Sequence, residues 1–260
     1  MSDLNRNAYG SGVARAGTAE LDQGLRAFML GVYNNMVLGL AITGLAALGT
    51  YMVAVTTDPA AAAGQFTNGL MLTSVGVALF SSPLKWVVIF APLALVFFLS
   101  FRIASLQPAT ARLMFFVYAA LVGLSLSSIF LVYTQASITR VFFITAATFG
   151  ALSLYGYTTK RNLSAMGSFL IMGLFGVIIA SLVNLFLAST ALQFAISVAG
   201  VLVFAGLTAW DTQRIKEMYY EMDDSASAAR KSVLGALMLY LDFINMFVML
   251  MQLFGQQRSN

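Results

Sequence analysis

The feature of this sequence that most constrains its fold is a stretch of forty-nine residues, 162–210, without a single formally charged side chain. As one α-helix this stretch would be roughly 75 Å long, because an α-helix rises 1.5 Å per residue. The hydrocarbon core of a bilayer is only about 30 Å thick. The stretch therefore predicts two membrane-crossing helices, with the turn between them near Ser189 and Thr190.

The composition of the whole chain agrees with a membrane location. Of its 260 residues, 60% are hydrophobic and only 9% are charged, and the mean hydropathy is +0.85. Soluble domains carry roughly 25% charged residues, and no soluble fold hides this much apolar surface. We therefore predict an all-α integral membrane protein that forms a single membrane domain.

Apolar runs of about twenty residues are long enough to cross a bilayer. Seven such runs predict a seven-transmembrane-helix bundle over residues 25–257. The predicted spans are 27–54, 86–105, 112–134, 138–158, 164–187, 191–213 and 232–255. Residues 1–24 are polar and predict a disordered cytoplasmic tail. The segment 55–85 predicts an extramembrane loop that carries a short interfacial or re-entrant helix within residues 69–80.

Lysine and arginine residues predict the orientation of this bundle. With a cytoplasmic N-terminus, eleven of the fourteen basic residues lie inside, and only Lys85, Arg140 and Arg258 lie outside. Cytoplasmic loops carry an excess of basic residues, so we expect the N-terminus inside and the C-terminus outside. The basic residues are scattered singly rather than gathered in a stripe, which indicates the lipid bilayer, and not nucleic acid, as the partner.

The chain contains no cysteine and no histidine. Nucleophilic sites of the Ser–His and Cys–His kinds are therefore excluded, and the usual zinc ligands are missing. We expect no cofactor and no enzymatic activity. An intramembrane aspartyl protease stays open, since it needs only two aspartates, but the position of Asp211 near a membrane edge does not favour it. Any sensing of pH must depend on carboxyl groups.

Two aspartates interrupt the last two predicted spans. Asp211 lies near the cytoplasmic end of the sixth span, three residues before Arg214, and Asp242 lies about ten residues into the seventh span. A carboxylate in hydrocarbon costs about 2.5–3.5 kcal/mol, so residues of this kind are usually functional. The alternative for Asp211 is a helix-end ion pair with Arg214. The alternative for Asp242 is an interhelical hydrogen bond, in a region where Asn245 is one helical turn away.

If the bundle brings Asp211 and Asp242 together, their carboxyl groups form one site. Two neighbouring carboxylates cannot both ionise cheaply, so they share a proton and titrate in coupled steps. Such a pair senses pH without histidine, or binds Ca²⁺ weakly and transiently through its oxygen atoms. Arg102, at the end of the second span, either clamps this pair as a latch or extends to the membrane interface.

Three stretches of the sequence resemble the Bax inhibitor-1 family, also called the transmembrane Bax inhibitor motif family. They are VYNNMVLGLAITG at residues 32–44, AWDTQRI at residues 209–215 and LYLDFIN at residues 239–245. The run GLSLSSIF at residues 123–130 is similar to the bacterial branch of the family. The resemblance covers nearly the whole chain from residue 25 onward.

This resemblance implies a fold in which the last helix is central and the other six surround it. It also implies a pH-sensitive calcium leak of a bacterial inner membrane, in which Asp211 and Asp242 form the gating pair and Arg102 is the latch. Two features depart from the family pattern: residues 86–101 contain no acid, and Trp210 stands where the family usually has tyrosine.

A second class of function stays open beside the leak. Some bacterial members of the family resemble regulators that bind a partner such as a membrane protease or another membrane protein. In this chain the tail 1–24 and the loop Glu217–Ala229 would make such contacts. Deletion of residues 1–20 separates the two classes, since it should spare a leak and damage a regulator.

Overall fold

The computed structural model describes residues 3–66 and 69–258, with side chains described from residue 23 onward. Its helices are α1 (Asp3–Ala54), α2 (Ser74–Phe80), α3 (Leu84–Arg102), α4 (Pro108–Leu126), α5 (Ile129–Val132), α6 (Gln135–Thr158), α7 (Ser164–Leu187), α8 (Thr190–Glu217) and α9 (Ser225–Phe254). Two short 3₁₀ helices and one antiparallel pair of strands complete it: Pro59–Ala61, Ile103–Ser105, β1 (Gly64–Gln65) and β2 (Met71–Leu72).

Seven helical segments among the described residues are long and apolar enough to cross a membrane. They are Gln23–Ala54, Leu84–Ser105, Pro108–Val132, Gln135–Thr158, Ser164–Leu187, Thr190–Glu217 and Ser225–Phe254. The predicted all-α, seven-helix membrane fold is thus confirmed. The last two helices extend further than the predicted spans 191–213 and 232–255, because charged side chains end an apolar run without ending a helix.

The first helix begins at Asp3 and therefore includes residues that the sequence assigns to a tail. The side chains of residues 1–22 lie outside the described part of the chain. The disordered tail over residues 1–24 stays a prediction.

The turn between α7 and α8 lies where the uncharged stretch predicts it. The backbone of Ala188 is left-handed, with φ 48°, and its N–H donates to the carbonyl of Asn184 at 2.8 Å. Ser189 then caps α8, because its hydroxyl accepts a hydrogen bond from the N–H of Leu192 at 3.3 Å. One left-handed residue and one cap are enough to reverse the chain.

The connection between α8 and α9 is shorter than the predicted loop Glu217–Ala229. It covers residues 218–224, since α9 begins at Ser225. Asp224 caps this helix by accepting a hydrogen bond from the N–H of Ser227 at 3.1 Å. Hydrogen bonds from the side chain and backbone of Ser227 hold the pKa of Asp224 below its ordinary value. An Asp-x-x-Ser start of this kind is a capping signal that begins the helix before its apolar part.

The predicted central position of the last helix is found in the structure. In α9, 61% of the most apolar stretch is buried, against 11–39% in the other six membrane helices. The helix packs against α1, α4, α6 and α8. Its fully buried Tyr240 meets Phe115 of α4 edge-on, with 5.5 Å between ring centroids, and its hydroxyl lies 2.6 Å from that of Thr43 of α1. One aromatic side chain thus connects three helices.

Two helix crossings require glycine. A Cβ atom at Gly123 of α4 would lie 2.4 Å from the carbonyl oxygen of Thr43 in α1. A Cβ atom at Gly156 of α6 would lie 2.1 Å from the carbonyl oxygen of Ala209 in α8. In lipid, helices associate through close packing, and small residues permit the backbones to meet.

The segment between α1 and α3 contains the short helix that its sequence predicts. This helix is α2, which has seven residues and packs against α1 and α3. The strands β1 and β2 form a small hairpin before it, in which Gly64 pairs with Leu72. The hairpin and α2 together join the ends of the first two membrane helices.

Candidate functional site

The helices α8 and α9 run antiparallel and are in contact along their length. Near one end of the pair, the side chain of Gln193 donates to Gln252 at 2.6 Å, and near the other end Gly235 of α9 lies against Ile215 of α8. In this register Asp211 and Asp242 lie at the same level. Their carboxyl groups are within hydrogen-bonding range of each other.

Both carboxyl groups are buried inside the bundle. The exposed fraction is 8% for Asp211 and 4% for Asp242. One oxygen of each side chain, Oδ1 of Asp211 and Oδ2 of Asp242, is buried without a hydrogen-bond partner among the described residues. A buried acceptor without a donor is costly. A proton held between the two carboxyl groups would give both groups a partner, because a protonated carboxyl donates one hydrogen bond.

The aspartate pair faces a groove of about 610 Å³ between α7, α8 and α9. Seven of its seventeen lining side chains come from α7, and six of these are aliphatic, for example Leu174, Ile178 and Leu182. The charged and amide side chains lie on the α8 and α9 side, the two aspartates among them, and α7 adds one hydroxyl group, that of Ser181. The carboxyl groups therefore border a space that is mostly apolar. We call this space the aspartate groove.

Arg214 and Asn245, the two supporting residues predicted from the sequence, also line the aspartate groove. Arg214 is exposed and its guanidinium lies over the ring of Trp210, 5.4 Å from the centroid. Its charge is near enough to act on the Asp211 carboxyl group. Asn245 donates its amide N–H to the carbonyl of Leu241 at 2.8 Å. This hydrogen bond of Asn245 is therefore made within α9 and not to Asp242.

Arg102, the predicted latch, is not brought to the aspartates in this structure. It is exposed at the end of α3, a helix that packs against α2 and α4. Within the described residues the one salt bridge joins Lys231 to Asp223. Arg102 is also absent from the lining of the aspartate groove. Its placement here matches the interfacial alternative, and its role as a latch stays a prediction.

The described residues contain no cluster of three or more histidine, cysteine, aspartate or glutamate side chains that could hold a metal ion. A tight Ca²⁺ site uses six to eight oxygen ligands. Asp211 and Asp242 supply only carboxyl oxygens from two residues. The geometry therefore suits brief contact with a passing cation rather than a resident metal.

A chain of hydroxyl groups beside the pair was missed by the sequence reasoning. The hydroxyl of Tyr33 on α1 lies 2.7 Å from that of Ser153 on α6. Ser153 in turn lies 2.9 Å from the hydroxyl of Thr212, which directly follows Asp211 on α8. Thr212 donates to the carbonyl of Thr208 at 2.7 Å. Serine and threonine are common in membrane helices, so the only available signal was the position of Thr212 next to an aspartate.

A second missed residue is Gln213, which fixes the end of α7 to α8. Its side-chain oxygen accepts a hydrogen bond from the N–H of Leu163, and its amide donates to the carbonyl of Arg161, both at 2.8 Å. These two bonds hold the connection between α6 and α7 against the last turns of α8. The glutamine belongs to the same AWDTQRI stretch as Asp211, which is the signal that could have identified it.

Comparison with known proteins agrees with this architecture. The family described as "Inhibitor of apoptosis-promoting Bax1" matches residues 25–259. The chain belongs to this Bax inhibitor-1 family. The match includes both aspartates and, apart from residues 23 and 24 at the start of the first, all seven membrane helices, so the resemblance inferred from the three sequence stretches is confirmed.

Bacterial members of the Bax inhibitor-1 family are similar to this chain over most of its length. The "Inner membrane protein YbhL" of Escherichia coli is 45% identical over 237 residues, which cover 90% of this chain and 94% of that protein. A protein of Caulobacter vibrioides is 45% identical over 260 residues and covers both chains completely. A Rickettsia prowazekii protein is 48% identical over 240 residues, 92% of this chain and 93% of its own. The chain is a multi-pass integral membrane protein of this family.

Proposed function

We propose that this protein is a passive, pH-sensitive leak for cations, with Ca²⁺ as the cargo, and that the pair Asp211–Asp242 is its gate. The observation that carries the proposal is the placement of two carboxyl groups within hydrogen-bonding range of each other in the middle of a membrane bundle. Ionisable residues inside membranes usually mark ion or proton pathways. The proposal needs no enzyme chemistry and no cofactor.

In the closed state one proton lies between the two carboxyl groups and connects α8 to α9. The shared proton lowers the charge of the pair and gives each carboxyl a hydrogen-bond partner. The aliphatic side chains of α7 then present an apolar wall to the rest of the aspartate groove. A hydrated cation has no favourable path through a space of this kind, because it would lose water without gaining ligands.

Loss of the shared proton opens the gate. Two carboxylates at this distance repel each other, and the repulsion is strong where the dielectric constant is low. Separation of α8 from α9 relieves the repulsion and places up to four carboxylate oxygens in the groove, where they attract a divalent cation. Because ionisation of the pair opens the path, we expect Ca²⁺ flux to rise as pH rises.

The proposed location is a bacterial inner membrane with the N-terminus in the cytoplasm. Support comes from the printed name of the Escherichia coli relative and from the excess of basic residues in the loops assigned to the inside. In this orientation Asp211, two turns from the end of α8, lies toward the cytoplasmic half of the bundle.

The proposal is tested by Ca²⁺ flux into proteoliposomes between about pH 6 and 8. Wild type is compared with Asp211→Asn and Asp242→Asn, which keep the shape of the side chain and remove its titration. We expect the wild-type flux to increase with pH and each variant to lose most of this dependence. Asp58→Asn is the matched control, because Asp58 is exposed in the loop after α1. It should leave the pH profile unchanged.

Two results would count against the gate. Flux no greater than that of empty liposomes at every pH, from protein shown to be folded, would exclude the leak. A wild-type pH profile that survives in both aspartate variants would keep a leak but remove the carboxyl pair from its control.

A second candidate function is a membrane regulator that binds another membrane protein. One observation favours it: Tyr220 and Met222, in the connection between α8 and α9, are 61% and 78% exposed outside the membrane helices. Exposed large apolar side chains at such a position fit a protein contact. Loss of a co-purifying membrane protein in the double variant Tyr220→Ala/Met222→Ala, or on deletion of residues 1–20, with flux unchanged, would favour this function.

A further inference from the structure

A second and larger groove lies between α1 and α6, with α9 as its floor. Its volume is about 1210 Å³, and Phe243 of α9 forms part of the floor. We call it the α1–α6 groove. It shares no lining residue with the aspartate groove. The two grooves therefore lie on different sides of α9.

The α1–α6 groove is polar at one end and apolar at the other. Arg26, Tyr33, Ser153 and Tyr157 line the first end, where Tyr33 and Ser153 are hydrogen-bonded to each other. Toward the other end, α1 presents aliphatic side chains such as Leu45, which is 72% exposed. A phospholipid has the same polarity, with an anionic headgroup at one end and acyl chains behind it.

The protein leaves the α1–α6 groove unfilled. A Cβ atom added at Gly44 or Gly150, which line it, would have no neighbouring atom within 4 Å. In a bilayer a groove of this kind is filled by lipid, since apolar protein surface in hydrocarbon contacts acyl chains. Within the described part of the chain, Arg26 at its polar end forms no salt bridge.

We propose that the α1–α6 groove is a binding site for one anionic phospholipid. Arg26 attracts the phosphate, the hydroxyl groups of Tyr33 and Tyr157 lie on the headgroup side, and an acyl chain follows the aliphatic side of α1. Basic pockets between membrane helices are suited to anionic headgroups. The charge of Arg26 favours an anionic headgroup. The bound lipid differs from the lipids that surround the bundle because it lies in a groove between helices.

The position of the lipid site links it to the aspartate pair. Ser153, in the wall of the α1–α6 groove, is hydrogen-bonded to Thr212, the residue after Asp211. Phe243, in the floor, is the residue after Asp242. A lipid in the groove thus contacts the residue next to Asp242 and the side chain of α6 that is hydrogen-bonded to Thr212. Binding itself does not depend on the leak, so the two proposals fail separately.

The test is native mass spectrometry of the detergent-purified protein with added phosphatidylglycerol or phosphatidylcholine of the same acyl chains. One basic residue near an anionic lipid is worth about fivefold in affinity. We expect wild type to bind the first phosphatidylglycerol about fivefold more tightly than phosphatidylcholine. Arg26→Gln should remove this preference. Arg112→Gln is the matched control, because Arg112 is exposed on the side of the membrane predicted for Arg26 and lies outside the groove.

A second pair of variants tests the groove itself. Gly150→Leu fills it, whereas Gly176→Leu adds the same side chain to α7, where no atom lies within 4 Å and no part of the groove is touched. Gly150→Leu should lose the first bound lipid of either kind and Gly176→Leu should retain it. Equal loss of preference in Arg26→Gln and Arg112→Gln would overturn the proposal. So would lipid binding that survives Gly150→Leu, or a wild-type dimer that this variant separates, since a second copy would then occupy the groove.

Discussion

Two arginines are candidates for the cation that acts on the aspartate pair, and the structure places them differently. Arg214 lies one turn after Asp211 and lines the same groove. Arg102 is exposed at the end of a helix that packs elsewhere. Electrostatic influence falls steeply with distance in a screened environment. Arg214 is therefore the residue whose removal should change the charge balance of the pair in this conformation.

The first residue-scale prediction compares these arginines by their effect on the pH midpoint of Ca²⁺ flux. Arg214→Gln removes a cation that favours ionisation of the pair, so flux should begin at a higher pH. We expect a shift of about half a pH unit, because exposed ion pairs contribute about 0.2–1 kcal/mol. In the Asp211→Asn background, which should lose most of the pH dependence, Arg214→Gln should leave the remaining flux unchanged, whereas Arg102→Ala should change that flux by the same factor as in wild type. A strongly non-additive effect of Arg102→Ala and Asp211→Asn would instead support Arg102 as the latch.

The second residue-scale prediction concerns the contact between α6 and α8. Gly156→Ala places a Cβ atom 2.1 Å from the carbonyl oxygen of Ala209, so the two backbones must move apart. Overpacking of this kind costs about 1–3 kcal/mol of unfolding free energy. Gly176→Ala, where no atom lies within 4 Å, should cost nothing. Denaturant titrations of both variants in detergent measure the difference, and equal stability would mean that the crossing adjusts freely.

Only some of these residues are visible in the sequence. Asp211 and Asp242 stand out because a charge within an apolar run is rare, and the same rule finds them without any structure. Thr212 and Ser153 do not stand out, because hydroxyl groups bond to their own helices as often as to others. Their contact depends on which face of α6 meets α8, and that is decided by the packing of Gly156 against Ala209.

At the scale of the elements, α8 is fixed at its C-terminal end by hydrogen bonds to the end of α6 and to the connection between α6 and α7. Gln213 binds the backbone of Arg161 and Leu163 between α6 and α7. Lys216 donates to the carbonyl of Tyr157 at the end of α6, at 2.9 Å. These contacts satisfy backbone groups that helix ends leave unpaired. If α8 moves away from α9, it either carries the end of α6 and the start of α7 with it or breaks these hydrogen bonds.

The element-scale prediction follows from the two bonds of Gln213. In Gln213→Ala the buried N–H of Leu163 loses its acceptor, which costs about 1–3 kcal/mol. We expect the unfolding free energy to fall by that amount. Gln107→Ala is the matched control, because Gln107 is an exposed glutamine whose side chain makes no capping hydrogen bond. If the two variants were equally stable, the end of α7 would be held by other contacts.

The elements were more predictable than their contacts. Hydropathy alone finds all seven spans, because hydrocarbon permits only helices of sufficient length. The start of α9 could not be found from hydropathy, because residues 218–231 include several charged side chains and a polar helix gives no hydropathy signal. The remaining signal is the capping pattern of Asp224 and Ser227. The register of α8 against α9, which brings Asp211 to the level of Asp242, depends on contacts such as Gln193–Gln252 and Gly235–Ile215, which the sequence does not show.

At the scale of the whole molecule, seven spans predict that the two termini lie on opposite sides of the membrane. The count of spans follows from helix length and hydropathy, but the direction of the bundle depends on the basic residues. The segment between α1 and α3 carries Asp58 as its charged residue and is followed by Lys85 in α3, whereas the connection between α8 and α9 is flanked by Arg214, Lys216, Arg230 and Lys231. From this asymmetry we expect the second connection to be cytoplasmic.

The whole-molecule prediction uses the absence of cysteine from the chain, which makes any introduced cysteine the only one. Thr57→Cys lies in the exposed loop after α1, and Met222→Cys lies in the connection between α8 and α9, where the side chain is 78% exposed. In intact spheroplasts a membrane-impermeant maleimide should label Thr57→Cys alone. After the membrane is opened with detergent it should label both variants. Labelling of Met222→Cys alone in intact spheroplasts would reverse the bundle and place Asp211 toward the outer face. Labelling of both would contradict the seven-span topology, because five membrane helices separate the two positions and an odd number requires opposite sides.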